Sequence, residues 1–369
     1  NNYEGFPLDN SDSYNGNWHQ TMFGALPHIG SYFEWMAKAQ QPNLTMIETY
    51  EDDGAPDATG DGSYDNPCDD PNFTPNYRKM RFGLTSALLN DGFFSYEINT
   101  NGHGSLCLLW FDEYDNAGQG QGYLGQPVAA AYRVGNITPG ENQLKGGNFE
   151  TQADLDEWEL GIEPGYSATL ALDSAAASGA ASVKIDIAQT QGTDWKISLD
   201  TGPVSVISGT DYTLSFWAKA DRERDINAWA QQTSGNWDTY LEFGATTLTA
   251  TWQYYEMAVP ANGADAQARF SFGLGQDAGS VWLDDVRLQQ GNRDIWRRDY
   301  EGGIALVNAT SVTKTVELSG TFKKINGAQD PAVNDGSLVT QVELSPHDGL
   351  ILLRAGAISK VYLPLILKS

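Results

Sequence analysis

The sequence predicts a multidomain chain in which an α/β portion is followed by all-β structure. Three observations carry this. At 369 residues the chain is long enough for two or three domains, and 40% hydrophobic residues suffice for separate cores. Charged residues make up only 19% and glycine is abundant, a composition closer to turn-rich β structure than to helical bundles. Strand-like and helix-like stretches alternate over residues 1–119, whereas short strands separated by Thr, Ser and Gly turns fill Asn142 to Gln290.

In the α/β portion, Tyr3-Glu4-Gly5-Phe6 reads as the end of a strand entering a loop. Ile29 to Gln40 is helical and stops before Pro42, which cannot donate to a helical ladder. Leu44 to Glu48 is a strand, and the loop after it, Glu51 to Asn76, is polar and rich in Asp, Gly and Pro. Phe82, Leu84, Ala87 and Leu88 then recur at helical spacing, and Asn90-Asp91-Gly92 ends that helix. Phe93 to Ile98 is an apolar run suited to a buried parallel strand. This β-α-β-α-β order predicts parallel strands with crossover helices, read as the C-terminal portion of a (β/α)8 barrel over residues 1–119. Three strands cannot close such a barrel. The reading therefore expects about five more, supplied by a missing N-terminal half from the same gene or a separate chain.

Gly118 to Gly125 reads as a flexible joint, and Gln126 to Val134 opens a new pattern. Over residues 141–290, strand-like stretches such as Tyr212 to Ala218 and Val281 to Leu288 recur about every ten residues, the rhythm of a β-sandwich. After Asn292 come further strands, among them Gly303 to Asn308 and Leu350 to Leu353, with turns at Asn334-Asp335-Gly336 and Asp348-Gly349. Residues 358–369 are set apart as a tail. Its VYLPLILKS run reads equally as a last strand or as a tail similar to those of secreted bacterial proteins.

A formal net charge of −26 repels nucleic-acid phosphates and anionic membranes, and no apolar run reaches membrane-spanning length. Neutral polysaccharide remains an allowed partner. Eleven Trp, 17 Tyr and 14 Phe supply faces on which sugar rings stack. Cys68 and Cys107 are either two unrelated thiols or one disulfide joining the loops that flank the key helix and strand. Neither lies in a CxxC pattern, and no GxSxG, HExxH or Walker context occurs.

RFGLTSALLNDGFFSYE, LWFDEYD and YLGQPVAAAYRV, resumed by DIWRRDYEGGIALVNATS, INGAQDPAVNDG and LSPHDGLILLR, resemble the end of a β/α-barrel glycoside hydrolase family. The resemblance implies that the barrel is followed by a small C-terminal β-sandwich, here discontinuous over residues 120–140 and 291–357. GGNFE, YTLSFWAKA, LTATWQYYEM and VWLDDVRL fill the interruption and resemble a family 4/9-type carbohydrate-binding module. That likeness implies an inserted jelly-roll β-sandwich over residues 141–290. It also implies a structural calcium ion, matched by Glu150 of GGNFE and Asp284 of LDDV.

Glycan chemistry then selects the candidate residues. Hydrolysis needs two carboxyl groups across the scissile bond, about 5 Å apart in retaining enzymes and ~6.5–9.5 Å in inverting ones. Glu4, Glu48 and Glu97 each close a strand-like stretch, where a barrel would place its active site, and Asp112 stands by to orient a hydroxyl. For binding, Trp229, Gln231, Trp237 and Tyr240 combine stacking faces with amide hydrogen bonds. Trp217 alternates against Leu214 and Phe216, and so faces away from them; Trp195 is a further candidate, while Trp252 and Trp282 are assigned to the core. The expected protein is a secreted or cell-surface glycoside hydrolase held on polysaccharide by its binding module. The alternative is a non-catalytic glycan-binding or structural protein with an incomplete barrel.

Overall fold

The computed structural model describes residues 5–7, 18–24, 31–51, 73–98, 108–134 and 140–355. They form two compact units, one within residues 1–10, 40–135 and 294–369, the other within 11–39 and 136–293. Glu4, Cys68, Cys107 and the 358–369 tail lie outside the described residues.

The first unit begins with β1 (Gly5–Pro7). Helices α1 (Trp18–Phe23) and α2 (Tyr32–Lys38) follow in sequence but belong to the second unit. The first unit resumes with β2 (Met46–Glu51), α3 (Tyr77–Leu88) and β3 (Phe93–Ile98), and β1, β2 and β3 pair in parallel. α3 starts where the Asn76 side chain accepts the Lys79 N–H at 3.0 Å, an N-cap that satisfies one of the four free donors of the first turn. Its Gly83 lies against Thr49 and Phe94: a Cβ there would come within 2.0 Å of Thr49 Oγ1, so helix and sheet meet only at a residue without one. The short α4 (Asp112–Asp115) and β4 (Tyr132–Arg133) follow.

In the second unit, α5 (Gln152–Leu155) leads into ten strands. They are β5 (Glu159–Ile162), β6 (Ser167–Asp173), β7 (Ser182–Gln189), β8 (Ile197–Val206) and β9 (Asp211–Ala220), then β10 (Arg224–Gln231), β11 (Thr239–Leu248), β12 (Gln253–Pro260), β13 (Asp265–Gly273) and β14 (Gly279–Gln290). These make two five-stranded antiparallel sheets, ordered β11-β10-β13-β8-β5 and β12-β9-β14-β7-β6. Inward residues alternate along β9, β10 and β13, and Leu214, Phe216, Phe270, Phe272 and Leu283 are fully buried in one shared core. Phe216 and Phe272 meet edge to face at 5.1 Å across it. Each such ring contributes roughly 1.5–3 kcal/mol by leaving water.

The chain returns to the first unit with β15 (Ile295–Asp299), β16 (Gly303–Asn308), β17 (Lys314–Lys324), β18 (Leu338–Leu344) and β19 (Asp348–Arg354). With β4 they form one six-stranded sheet, ordered β18-β17-β19-β16-β15-β4. α3 packs on β16 and β19 as well as on β2 and β3, and its buried Arg81 is held by both oxygens of Asp348, at 3.1 and 3.2 Å, and by Asp330 at 2.6 Å.

Two expectations are corrected. No (β/α)8 barrel is evident among the described residues: they are mostly antiparallel sheet, with five short helices, and their parallel strands number three. Helical and strand periodicities in residues 77–98 are real, but they report local structure and not the number of strands around it. The C-terminal β strands are hydrogen-bonded in one continuous six-stranded order, and α3 packs on β16 and β19. Gly118 to Gly125, read as a joint, is a run of hydrogen-bonded turns: Gly120 N–H donates to Asp115 O and Gly125 N–H to Gly122 O. Tyr123 O–H reinforces them by donating to Glu113 O at 2.6 Å.

Candidate functional site

The strongest site lies on the solvent side of the β11-β10-β13-β8-β5 sheet. Along β10, Ile226, Ala228 and Ala230 point into the core, so Asn227, Trp229 and Gln231 point out. Strand register extends Trp229 into a row across all five strands: Glu242, Trp229, Ser271, Asp200 and Glu159 stand opposite one another in turn. The next row runs through Asn227, Gly273, Ser198 and Gly161. Its glycines leave a trough, and a Cβ at Gly273 would come within 2.6 Å of the Trp229 ring. Trp229 thus sinks into the surface and is only 8% exposed although it faces away from the core.

Polar groups in this groove are buried beyond what the protein itself can satisfy. Trp229 Nε1, Asp200 Oδ1 and Arg269 Nε are all buried without a hydrogen-bond partner. Such groups carry a desolvation cost of about 1–3 kcal/mol each until a partner arrives. The other Asp200 oxygen is occupied: Ser198 Oγ donates to it at 2.9 Å and Arg269 lies 3.4 Å away. Burial pushes the Asp200 carboxyl above the ordinary aspartate range. Donors and acceptors side by side, next to an indole, are the complement of a sugar ring with its hydroxyls.

Of the residues singled out from sequence, Trp229 and Gln231 share this face. Trp237 sits in the β10–β11 hairpin at φ 60°, 52% exposed, with the Arg269 guanidinium 5.7 Å from its ring centre. Trp195, 53% exposed, stands on the turn that enters β8, beside Asp194, which accepts from Asn227. Tyr240 is half-buried against the core edge. Trp217 is on the other sheet, packed at a tilt against Tyr254, and does not reach the groove. Trp252 and Trp282, assigned to the core, are half-buried, with the Lys219 ammonium lying over both rings. Asp200, Ser271, Arg269, Glu242 and the two glycines were missed. Their signal was present as polar or Gly residues alternating with Leu and Phe in SLD and RFSFG, but only strand pairing puts them in one row.

Glu150 and Asp284 approach the same loop. Asp284 Oδ2 accepts the Ala177 and Ser178 N–H groups, each at 2.9 Å, and Glu150 accepts the Ala180 N–H. Asp284 is fully buried, its Oδ1 has no hydrogen-bond partner, and burial raises its pKa. Carboxylate oxygens of this kind fit a hard cation.

In the first unit, Glu48 stands opposite Ser95 in the parallel register, two residues before Glu97 on β3, so Glu48 and Glu97 share one face of the sheet. Both are buried, at 2% and 9% exposure, and Ser95 Oγ donates to Glu97 at 3.0 Å. Thr49 and Phe94, facing α3, occupy the opposite face. Asp112 is elsewhere: its Oδ2 accepts the N–H groups of Ala328 and Gln329 at 2.7 and 3.0 Å, which fixes that loop.

With this geometry in place, residues 141–279 match a family profile described as a carbohydrate binding domain, of the CBM4/9 type. This supports a CBM4/9-type domain for the sandwich that carries the groove. Among solved structures, one described as CBM4 is 27% identical over 40% of this chain and 99% of its own, with a TM-score of 0.33. The second N-terminal cellulose-binding domain of Cellulomonas fimi β-1,4-glucanase C is 22% identical over 45% and 99%, TM-score 0.32. An arabinose-bound GH51 α-L-arabinofuranosidase is 16% identical over 45% of this chain but only 31% of its own, TM-score 0.34. No curated protein matches the chain. No helix among the described residues is long and apolar enough to cross a membrane.

Proposed function

We propose that this protein binds polysaccharide, and that a single glycan chain lies in the groove over Trp229. One observation carries the reading: Trp229, Asp200 and Arg269 each hold a buried polar atom without a hydrogen-bond partner, and they stand together on the outward side of one sheet. A sugar hydroxyl both donates and accepts, and so meets groups that differ in kind within one row. Trp237 and Trp195, exposed at the hairpin and at the β8 turn, extend the stacking surface beyond Trp229. Isothermal titration with soluble β-glucans and xylans tests this. Binding to at least one that is lost in Trp229→Ala supports the reading, and unchanged binding in that variant removes it.

The protein is further read as a secreted glycoside hydrolase that the module concentrates on its substrate. Support comes from Glu48 and Glu97, two buried carboxyl groups on one sheet face. Reducing-sugar release by the full-length protein, abolished in both Glu48→Gln and Glu97→Gln, is the expected result. Glu150 and Asp284 would hold a calcium ion against the 177–180 loop, where its charge would offset the buried Asp284. A chelator-sensitive melting temperature restored by calcium is expected.

A further inference from the structure

The opposite sheet of the sandwich carries a second feature that the groove does not use. Across β12, β9 and β14, Tyr254, Glu256, Thr213, Ser215, Arg287 and Gln289 project to the solvent side and, with Asp285 and Arg293, line a pocket of about 200 Å³. Its aromatic wall is Tyr254, 47% exposed and backed by Trp217 at 5.6 Å between ring centres. Its charged groups are fixed in pairs. Arg293 is clamped on Glu256 through Nε and Nη2, Arg287 on Asp285 through the same two atoms, and Tyr254 O–H donates to Glu256 at 3.0 Å.

We infer that this pocket is a second carbohydrate site, which takes one neutral sugar unit. Each pairing leaves donors over, because a guanidinium carries five N–H groups and these clamps use two nitrogens. Gln289 likewise spends its amide N–H on Gly140 O and keeps its carbonyl oxygen. Hydrogen-bonding groups are therefore held in place before a ligand arrives, next to a half-exposed ring, and binding orders few side chains. The two arginines are matched by two carboxylates, so the site favours an uncharged ligand over an acidic one. Its volume is below the roughly 300–1,000 Å³ of pockets for larger ligands, which suits one ring and not a chain. A peptide is a poorer fit, because no aliphatic side chain lines the pocket to receive its apolar side chains.

The inference does not rest on the groove. Its test is NMR titration of the full chain with D-glucose, D-xylose, D-galactose and L-arabinose, following the indole N–H signals of Trp217 and Trp229 separately. At least one sugar is expected to shift the Trp217 signal in the parent and in Trp229→Ala, with the response falling at least fivefold in both Tyr254→Ala and Gln289→Ala. Overturning results are a Trp217 signal unmoved by all four sugars, a response lost in Trp229→Ala, or a response kept in Tyr254→Ala. Tyr254→Phe, which keeps the ring, should retain the response and so separates stacking from general damage.

Discussion

The two outer faces of the sandwich are built on the same core and prepared in opposite ways. On the β8, β10 and β13 side, polar atoms are buried and left without partners beside a sunken Trp229. On the β9, β12 and β14 side, arginines and carboxylates already hold one another and the ring stays half in water. An unmet hydrogen bond costs the free protein and is recovered on binding, so the first face can bind firmly. A pinned pair costs little beforehand and returns little, so the second face binds weakly but with fixed geometry.

The largest expected effect abolishes the comparison altogether. Phe270→Ala empties the shared core and should cost about 3–5 kcal/mol of stability in denaturant unfolding, with both faces lost together. Next, Trp229→Ala should weaken polysaccharide binding by about 2 kcal/mol, roughly 30-fold, and lower the melting temperature as well, because the ring is largely buried. Gly273→Ala sharpens the point by adding only a methyl group. It must displace the Trp229 ring and should cost severalfold in affinity by titration calorimetry, with the other face unaffected.

Asp200 yields a pH test. Its carboxyl is raised in the fold by burial, so its contribution to stability is complete below the unfolded value of about 3.9 and is lost as pH rises through the higher folded value. Asp200→Asn cannot ionise, and its melting temperature should gain on the parent as pH goes from 4 to 7. The smallest effect belongs to the second face, where Tyr254→Ala should leave melting temperature and polysaccharide affinity nearly unchanged and alter only the response to single sugars.

Much of the module was legible from residues alone. Leu214, Phe216, Phe270 and Phe272 alternate with polar neighbours, and a strand buried on one face has no other way to read. Trp229 and Gln231 were singled out by type and proximity, and they stand on one outward face of β10. Trp217 shows the limit of that method: its outward direction followed from alternation, but which sheet it lies on did not.

What the sequence determined by itself was local: the period of each strand, the stop of α3, the acidic charge, and the motifs of a carbohydrate-binding module. Tertiary structure decided which strands are neighbours. That choice joined Asp200, Ser271 and Trp229 across β8, β13 and β10, and settled α3 on antiparallel strands where a barrel had been expected. The reason is physical. Side-chain period depends on backbone geometry within one strand, whereas pairing depends on contacts between residues far apart in the chain, whose spacing no local pattern encodes.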